Sequence, residues 1–253
     1  MTTDLDRALA VLGLLSLRLV PALAWLGWAA RSVSLAVVLG FGASLSLWPL
    51  AIAIVPIEDA RFSRLWSAAP WELARGVTLG LGGLLPLLAI GWAGRISDAL
   101  RDVDARTDDL AGFALERLYV AGALAVLFAS GAHASVFSAL GDSLLEVPLG
   151  TGAASTPGVQ IALLELAKLL ARAFEIGVVC AAPVFLIVFT SALIAGLTSR
   201  LSAPFGTALL RVPLLPVVGL SAACLCISSI LGEYPRLAQV FVDETSALLR
   251  GLF

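Results

Sequence analysis

Five runs of 19 or more residues contain no Asp, Glu, Lys or Arg, and their lengths constrain the fold more than any other feature. They cover residues 32–57, 76–94, 118–141, 176–199 and 212–232. A sixth apolar stretch, 8–30, is interrupted only by Arg18. Because a helix needs about 20 apolar residues to cross the hydrocarbon of a bilayer, these six stretches predict a polytopic membrane protein.

The composition agrees with this prediction. Of the 253 residues, 60% are hydrophobic and only 13% are charged, whereas soluble domains carry about 25% charged residues. Helices are favoured over strands because lipid offers no partners to backbone groups and the runs show no alternating pattern. We therefore predict an all-α fold of about six apolar segments in a single domain, 1–253. The acidic start of the chain, with Asp4 and Asp6, is atypical of a signal peptide, so we expect the first segment to be retained.

Several classes of function lack their motifs. A net charge of −2 does not predict a basic face for nucleic acid. Three cysteines inside apolar runs and one histidine give neither a zinc set nor a disulfide framework. No phosphate-binding or nucleophile motif is present, and the lone His133 is more typical of packing than of catalysis. We expect no enzyme activity, no cofactor and no metal.

Two polar regions interrupt the apolar pattern. Segment 95–117 places apolar residues at helical spacing between charges, which predicts an amphipathic helix or a helical extension, either a solvated connector or a binding element. In segment 165–175, charged residues three or four apart share one stripe of a helix: Glu165, Lys168, Arg172 and Glu175. The stripe is either a proton relay or a row of structural ion pairs between packed helices, and we prefer the second interpretation.

Segment 142–162 is the main predicted break. Its prolines and glycines exclude a continuous helix and indicate a loop between the two halves of a hairpin: Pro148, Gly150, Gly152, Pro157 and Gly158. Small residues four apart, such as Gly76 and Gly80, permit close contact between helices in a membrane. Arg and Lys are divided almost equally between the two sets of loops, so the positive-inside rule assigns no orientation.

Three motifs follow one another in order along the chain: WELARGVTLGLG at 71–82, LFASGAHASVFSALGDSLLEVPLG at 127–150 and AAPVFLIVFTSALIAGLTSRLSAP at 181–204. Together they resemble the inner-membrane export-apparatus proteins of type III secretion, the SctT family, whose flagellar counterpart is FliR. The chain departs from that pattern at Ala132, which separates Gly131 from His133, at Phe205, and in its acidic segment 95–117. The positions that we match to the family are Arg18, Pro49, Glu72, Gly76, Gly80, His133, Pro148, Gly150, Pro183, Arg200 and Pro204.

The resemblance implies a structural, channel-forming subunit of an export gate in the bacterial inner membrane. Its partners would be SctR-like and SctS-like subunits, with SctU-like and SctV-like components, secreted protein substrates in transit and membrane lipid, and no nucleic acid. The fold would resemble a fusion of its partners' helical hairpins, packed into a cone above the bilayer plane. On the same basis the matched residues would support helix packing or subunit contacts.

Two other functions remain open on the sequence alone. A secondary transporter would move a solute along the ionisable stripe at 165–175, and it would do so without other subunits. A membrane-embedded enzyme would need a catalytic constellation, and the sequence offers no candidate for one.

Overall fold

The computed structural model describes residues 2–29, 33–54, 62–100, 114–147, 149–150, 156–201 and 208–252. These residues form eight helices: α1 (Thr2–Ala22), α2 (Ala24–Ala29), α3 (Val33–Ile54), α4 (Phe62–Leu100), α5 (Ala114–Ala129), α6 (His133–Glu146), α7 (Thr156–Leu201) and α8 (Ala208–Leu252). Within the described ranges the remaining residues lie in short turns and no strand occurs. The predicted all-α fold of a polytopic membrane protein is confirmed.

Three of the described helices are long and apolar enough to cross a membrane. Their apolar spans are Ala68–Ala99, Leu163–Ile194 and Val217–Arg250, and the bent pair of α5 and α6 would count as a fourth. The first two predicted segments instead give shorter apolar helices, Ala8–Ala22 and Val37–Pro49. The apolar runs of the sequence therefore predicted the positions of the helices well. They predicted less well which helices are long enough to cross a membrane.

The apolar run 118–141 does not form one continuous helix. The chain turns at residues 130–132 between α5 and α6, where Gly131 has φ +76°. Glycine adopts this left-handed conformation without the steric cost that a Cβ imposes. The Gly131 carbonyl accepts a hydrogen bond from the backbone N–H of Ala134 at 2.9 Å, which closes the turn onto the first residues of α6.

The predicted break at 142–162 is present but shorter. Helix α6 continues to Glu146 and α7 begins at Thr156, so Pro157 and Gly158 lie in the first turn of a helix. Proline is tolerated there because the first amides of a helix have no intrahelical acceptor. Pro148 and residues 151–155 lie outside the described residues.

Segment 95–117 is described only at its two ends. The chain remains helical to the end of α4 at Leu100 and becomes helical again at the start of α5 at Ala114. Residues 95–100 are therefore a helical extension of an apolar span, as one of the two interpretations predicted. Residues 101–113, which hold most of the acidic side chains, lie outside the described residues.

The chain divides into two compact units. Unit 1 comprises Met1–Leu85, Ser130–Leu169 and Arg236–Phe253, and unit 2 comprises Pro86–Ala129 and Leu170–Pro235. Helix α1 contributes the centre of the unit 1 core, where Leu15 and Leu19 are almost fully buried and pack with Leu140 and Leu144 of α6. In unit 2 the core contains Tyr119 of α5, Ala173 of α7 and Ala223 of α8. That 1–253 acts as a single export-apparatus domain stays a prediction.

Close helix packing in unit 1 depends on glycines of α4. A Cβ at Gly76 would collide with the backbone carbonyl oxygen of Arg18, and one at Gly80 would collide with that of Pro21. The two glycines are four residues apart and therefore share one face of α4. The close approach that the sequence predicted for them is present in the structure, between α4 and α1.

Candidate functional site

A buried ion cluster joins α1 to α4 inside unit 1. Arg18 Nε donates to Glu72 Oε2 at 2.6 Å, and Arg75 Nη1 donates to Glu72 Oε1 at 2.7 Å. The exposed fractions of Arg18, Glu72 and Arg75 are 0%, 0% and 1%. Glu72 and Arg75 are three residues apart on α4, so they share a face and can pair along the helix. We call these three residues the ion cluster.

The ion cluster also binds the backbone at the end of α6. Arg18 Nη1 donates to the carbonyl oxygens of Ser143 and Val147, both at 3.0 Å. The backbone N–H of Gly150 donates to Glu72 Oε1 at 3.1 Å. The Ser143 carbonyl also accepts the backbone N–H of Val147, the residue that follows α6, and the several donors of a guanidinium can reach both carbonyls together with a carboxylate. Residues from α1 and α4 therefore hold the C-terminal end of α6.

Within its three residues the ion cluster contains two positively charged groups and one negatively charged group. Two guanidinium groups surround one carboxylate, and Arg18 Nη2 is buried with no hydrogen-bond partner in the described part of the chain. Burying charges costs free energy that only close pairing and hydrogen bonding recover. The arrangement is suited to holding helices together.

A polar cavity of about 320 Å³ lies beside α6 in unit 1. Arg75 lines it, together with residues of α6 and α8, among them Asp142, Glu146, Asp243 and Arg250. Arg250 Nη2 pairs with Glu146 Oε1 at 2.9 Å, and the two side chains are 62% and 46% exposed. Among the described residues, no group of three His, Cys, Asp or Glu is placed to hold a metal ion.

The structure brings together some of the residues that the sequence predicted and separates others. Arg18, Glu72, Gly76, Gly80 and Gly150 meet where α1, α4 and the end of α6 pack. Their predicted role in assembly stays a prediction, because their contacts here are within one chain.

The other predicted residues lie elsewhere. Pro49 is exposed in α3 and Pro183 is exposed in α7. His133 is half-buried at the start of α6, where its ring contacts that of Phe137 edge-on at 6.2 Å. The backbone of Arg200 belongs to α7, but its side chain, Pro148 and Pro204 lie outside the described residues.

Sequence reasoning missed Arg75 and the two carbonyl groups of α6. Arg75 could have been found, because it follows the singled-out Glu72 by three residues and carries the opposite charge. The carbonyls of Ser143 and Val147 could not, because every residue has a carbonyl and its neighbours in space depend on the fold.

The ionisable stripe of α7 lies on an exposed face. Lys168 Nζ donates to Glu165 Oε1 at 2.6 Å, and the two side chains are 61% and 45% exposed. This pair lies along one helix, so it is not itself a bond between packed helices. Arg172 and Glu175 are also exposed.

Unit 2 contains a second polar junction, between the end of α4 and the start of α5. Asp98 Oδ2 accepts hydrogen bonds from the backbone N–H groups of Leu115, at 2.9 Å, and Glu116, at 3.4 Å. Arg95 Nε donates to Glu116 Oε2 at 2.6 Å. Asp98 and Glu116 are each 4% exposed. Asp98 thus satisfies amides in the first turn of α5, as a capping residue does, although it belongs to another helix.

Replacing Asp98 with Ala should therefore lower the free energy of unfolding by roughly 1–2 kcal/mol, the range found for lost helix caps. Thermal unfolding of the purified chain in detergent, followed by circular dichroism, measures the change. Asp243→Ala is the control, because Asp243 is exposed and surface substitutions usually change stability by about 0.5 kcal/mol or less. Equal melting temperatures for the two variants would contradict the capping role.

Nearly the whole chain matches one protein family. The family model described as bacterial export proteins, family 1, matches residues 9–239. The matched range contains all three residues of the ion cluster, the end of α6 and the polar junction of unit 2. No curated protein matches the chain.

Proposed function

Because the chain belongs to the bacterial export proteins, family 1, we propose that it is a structural, channel-forming subunit of a type III protein secretion export gate. Membership in this family supports a membrane protein with a role in a protein export apparatus. The family is a structural component of that apparatus and is not a known enzyme family. The proposal adds the SctT or FliR type of subunit, several crossings of the bacterial inner membrane and the passage of unfolded substrates. It also adds assembly with SctR-like and SctS-like subunits, next to SctU-like and SctV-like components.

The observation that carries the proposal is the apolar surface that the chain leaves uncovered. Only 22% of an 18-residue apolar window of α7 and 22% of one of α8 are buried within the chain, compared with 61% of one of α4. Large apolar side chains on the unit 2 part of α7 are exposed: Leu170, Phe174, Val178, Val179, Phe185, Leu186, Ile187, Phe189, Leu193, Ile194 and Leu197. Surfaces of this kind are covered by lipid or by other proteins.

Lipid alone does not account for all of this surface. The hydrocarbon accommodates about 20 residues of a helix, and the charge-free run 176–199 already has that length. Leu170 and Phe174 lie beyond Glu175, outside this run, and are 48% and 55% exposed. Apolar side chains next to charged ones at the edge of a membrane span fit a protein neighbour. This supports a subunit whose helices are completed by those of its partners.

Co-expression with SctR-like and SctS-like proteins, followed by native mass measurement of the purified complex, tests the proposal. We expect the chain to be recovered in a complex with both partners. Solute uptake by liposomes that hold this chain alone would instead support a secondary transporter that uses the stripe at 165–175. Recovery of the chain without either partner, under conditions in which the partners assemble with each other, would contradict the proposal.

Leu170→Ser should weaken this assembly about tenfold or more, because a half-exposed leucine buried by a partner contributes on the order of 1–2 kcal/mol. Glu175→Ser is the matched control, since Glu175 is an exposed polar residue on the same helix. The yield of complex at limiting partner concentration gives the comparison. If both variants assembled as well as the unchanged chain, Leu170 would not lie at a subunit contact.

A further inference from the structure

The C-terminal end of α6 and the residues that follow it have long-range partners inside the chain. The residues concerned are Val147, Leu149 and Gly150, which we call the exit turn. We propose that Arg18 and Glu72 act as a latch that fixes the exit turn from within the chain, before any partner binds. This inference does not depend on whether the chain lines a channel.

Three hydrogen bonds between buried charged side chains and the backbone form the latch. Two run from Arg18 Nη1 to the carbonyls of Ser143 and Val147, over sequence separations of 125 and 129 residues. The third runs from the Gly150 N–H to Glu72, over a separation of 78 residues. Hydrogen bonds to ionised groups are about twice as strong as neutral ones, and buried pairs are screened little by salt.

Within the described part of the chain, the exit turn makes few other contacts. Ser143 O accepts the backbone N–H of Val147 at 3.2 Å, and Leu149 is 6% exposed within the unit 1 core. Gly150 has φ +79°, and a Cβ added to it would meet only the end of the Leu14 side chain, at 3.8 Å. One apolar side chain and one local hydrogen bond do not by themselves fix a turn, so its position depends on the latch.

Helix α6 itself would stay in place if the latch opened. Leu140 and Leu144 are each 6% exposed and pack in the unit 1 core. On another side, the polar cavity separates α6 from α8, and the exposed pair of Glu146 and Arg250 contributes little to stability. Opening the latch should therefore release the exit turn locally, with the cavity providing space, while the apolar face of α6 keeps its contacts.

Amide hydrogen exchange of the full chain in detergent micelles, read by mass spectrometry, tests this inference without any substitution. We expect the amides of the exit turn to exchange far more slowly than those of an exposed loop, because the latch must open before they are released. If the exit turn exchanged as fast as an exposed loop, there would be no latch.

Arg18→Lys is the informative variant. Lysine keeps the positive charge but not the planar fork that reaches Glu72 and two carbonyls at once. We expect the amides of Val147 and Gly150 to exchange about tenfold faster or more, with protection near Leu140 unchanged. Glu165→Gln is the control, because its ion pair with Lys168 is exposed and forms none of the latch bonds, and it should leave exchange of the exit turn within about threefold of the unchanged chain.

Two results would overturn the inference. One is unchanged exchange of the exit turn in Arg18→Lys, which would mean that the fork is not needed. The other is an equal acceleration across α1, α4 and α6, which would mean that the ion cluster stabilises unit 1 as a whole and has no specific effect on the turn. If Arg18→Lys does not fold, the measurement on the unchanged chain still decides.

Discussion

Replacing Glu72 with Gln should destabilise the chain far more than replacing Arg75 with Gln, although both side chains are almost fully buried. Glu72 pairs with both Arg18 and Arg75, so its loss removes this carboxylate from two buried guanidinium groups at once. Removing one partner of a buried ion pair costs roughly 3–5 kcal/mol. In Arg75→Gln the pair of Arg18 and Glu72 remains neutral overall, and we expect a smaller loss of roughly 1–2 kcal/mol.

Denaturant titration of the purified variants in micelles, followed by circular dichroism, gives the two free energies of unfolding. Glu165→Gln is the control, because Glu165 also pairs with a cation three residues away but is 45% exposed. Exposed pairs of this kind contribute about 0–1 kcal/mol, so this variant should resemble the unchanged chain. Equal losses for Glu72→Gln and Arg75→Gln would show that the balance of charge in the ion cluster does not determine its stability.

The positions of the helices could be predicted from the sequence because lipid leaves a chain few choices. A backbone without water must satisfy its own hydrogen bonds, so each long apolar run became helical. The ends of the helices could not be predicted from the same runs. Helix α4 has 39 residues and α7 has 46, each much longer than its charge-free run. Capping residues and prolines end helices, whereas the first charged residue does not.

The turn at Gly131 shows a second limit. The chain contains 23 glycines, and most of those in apolar runs lie inside helices, where they allow close packing or are simply tolerated. Gly131 and Gly150 are the described glycines with positive φ. Gly150 follows a proline and could be placed in a break, whereas Gly131 lies in an apolar run with no other breaking residue nearby. The sequence does not show which glycine allows close helix packing and which one forms a turn. That difference depends on the residues that surround each glycine in the folded chain.

The ion cluster could be predicted in part. Arg18 and Glu72 were both matched to the pattern of the family that the chain resembles. The pairing of the two could not be derived, because nothing in the pattern of either helix indicates which face of α1 meets which face of α4. The structure supplies that information, since Gly76 lies four residues after Glu72 and contacts the backbone of Arg18 itself.

Gly76→Val should therefore disrupt unit 1 in two ways at once. Its Cβ would collide with the carbonyl oxygen of Arg18, and a backbone atom cannot rotate away as a side chain can. Moving α1 aside would also lengthen the 2.6 Å bond from Arg18 to Glu72. Overpacking alone costs roughly 1–3 kcal/mol, so with the ion cluster strained we expect a loss of about 3 kcal/mol or more.

Gly42→Val is the matched control for this prediction. Gly42 also lies inside an apolar helix of unit 1, but nothing stands within 4 Å of a Cβ added to it. The intrinsic effect of valine on a helix is the same at both positions, so the difference between the two variants isolates the contact of α4 with α1. Denaturant titration in micelles should show a clear loss for Gly76→Val alone. If both variants unfolded at one denaturant concentration, α1 and α4 would not approach as closely as the ion cluster requires.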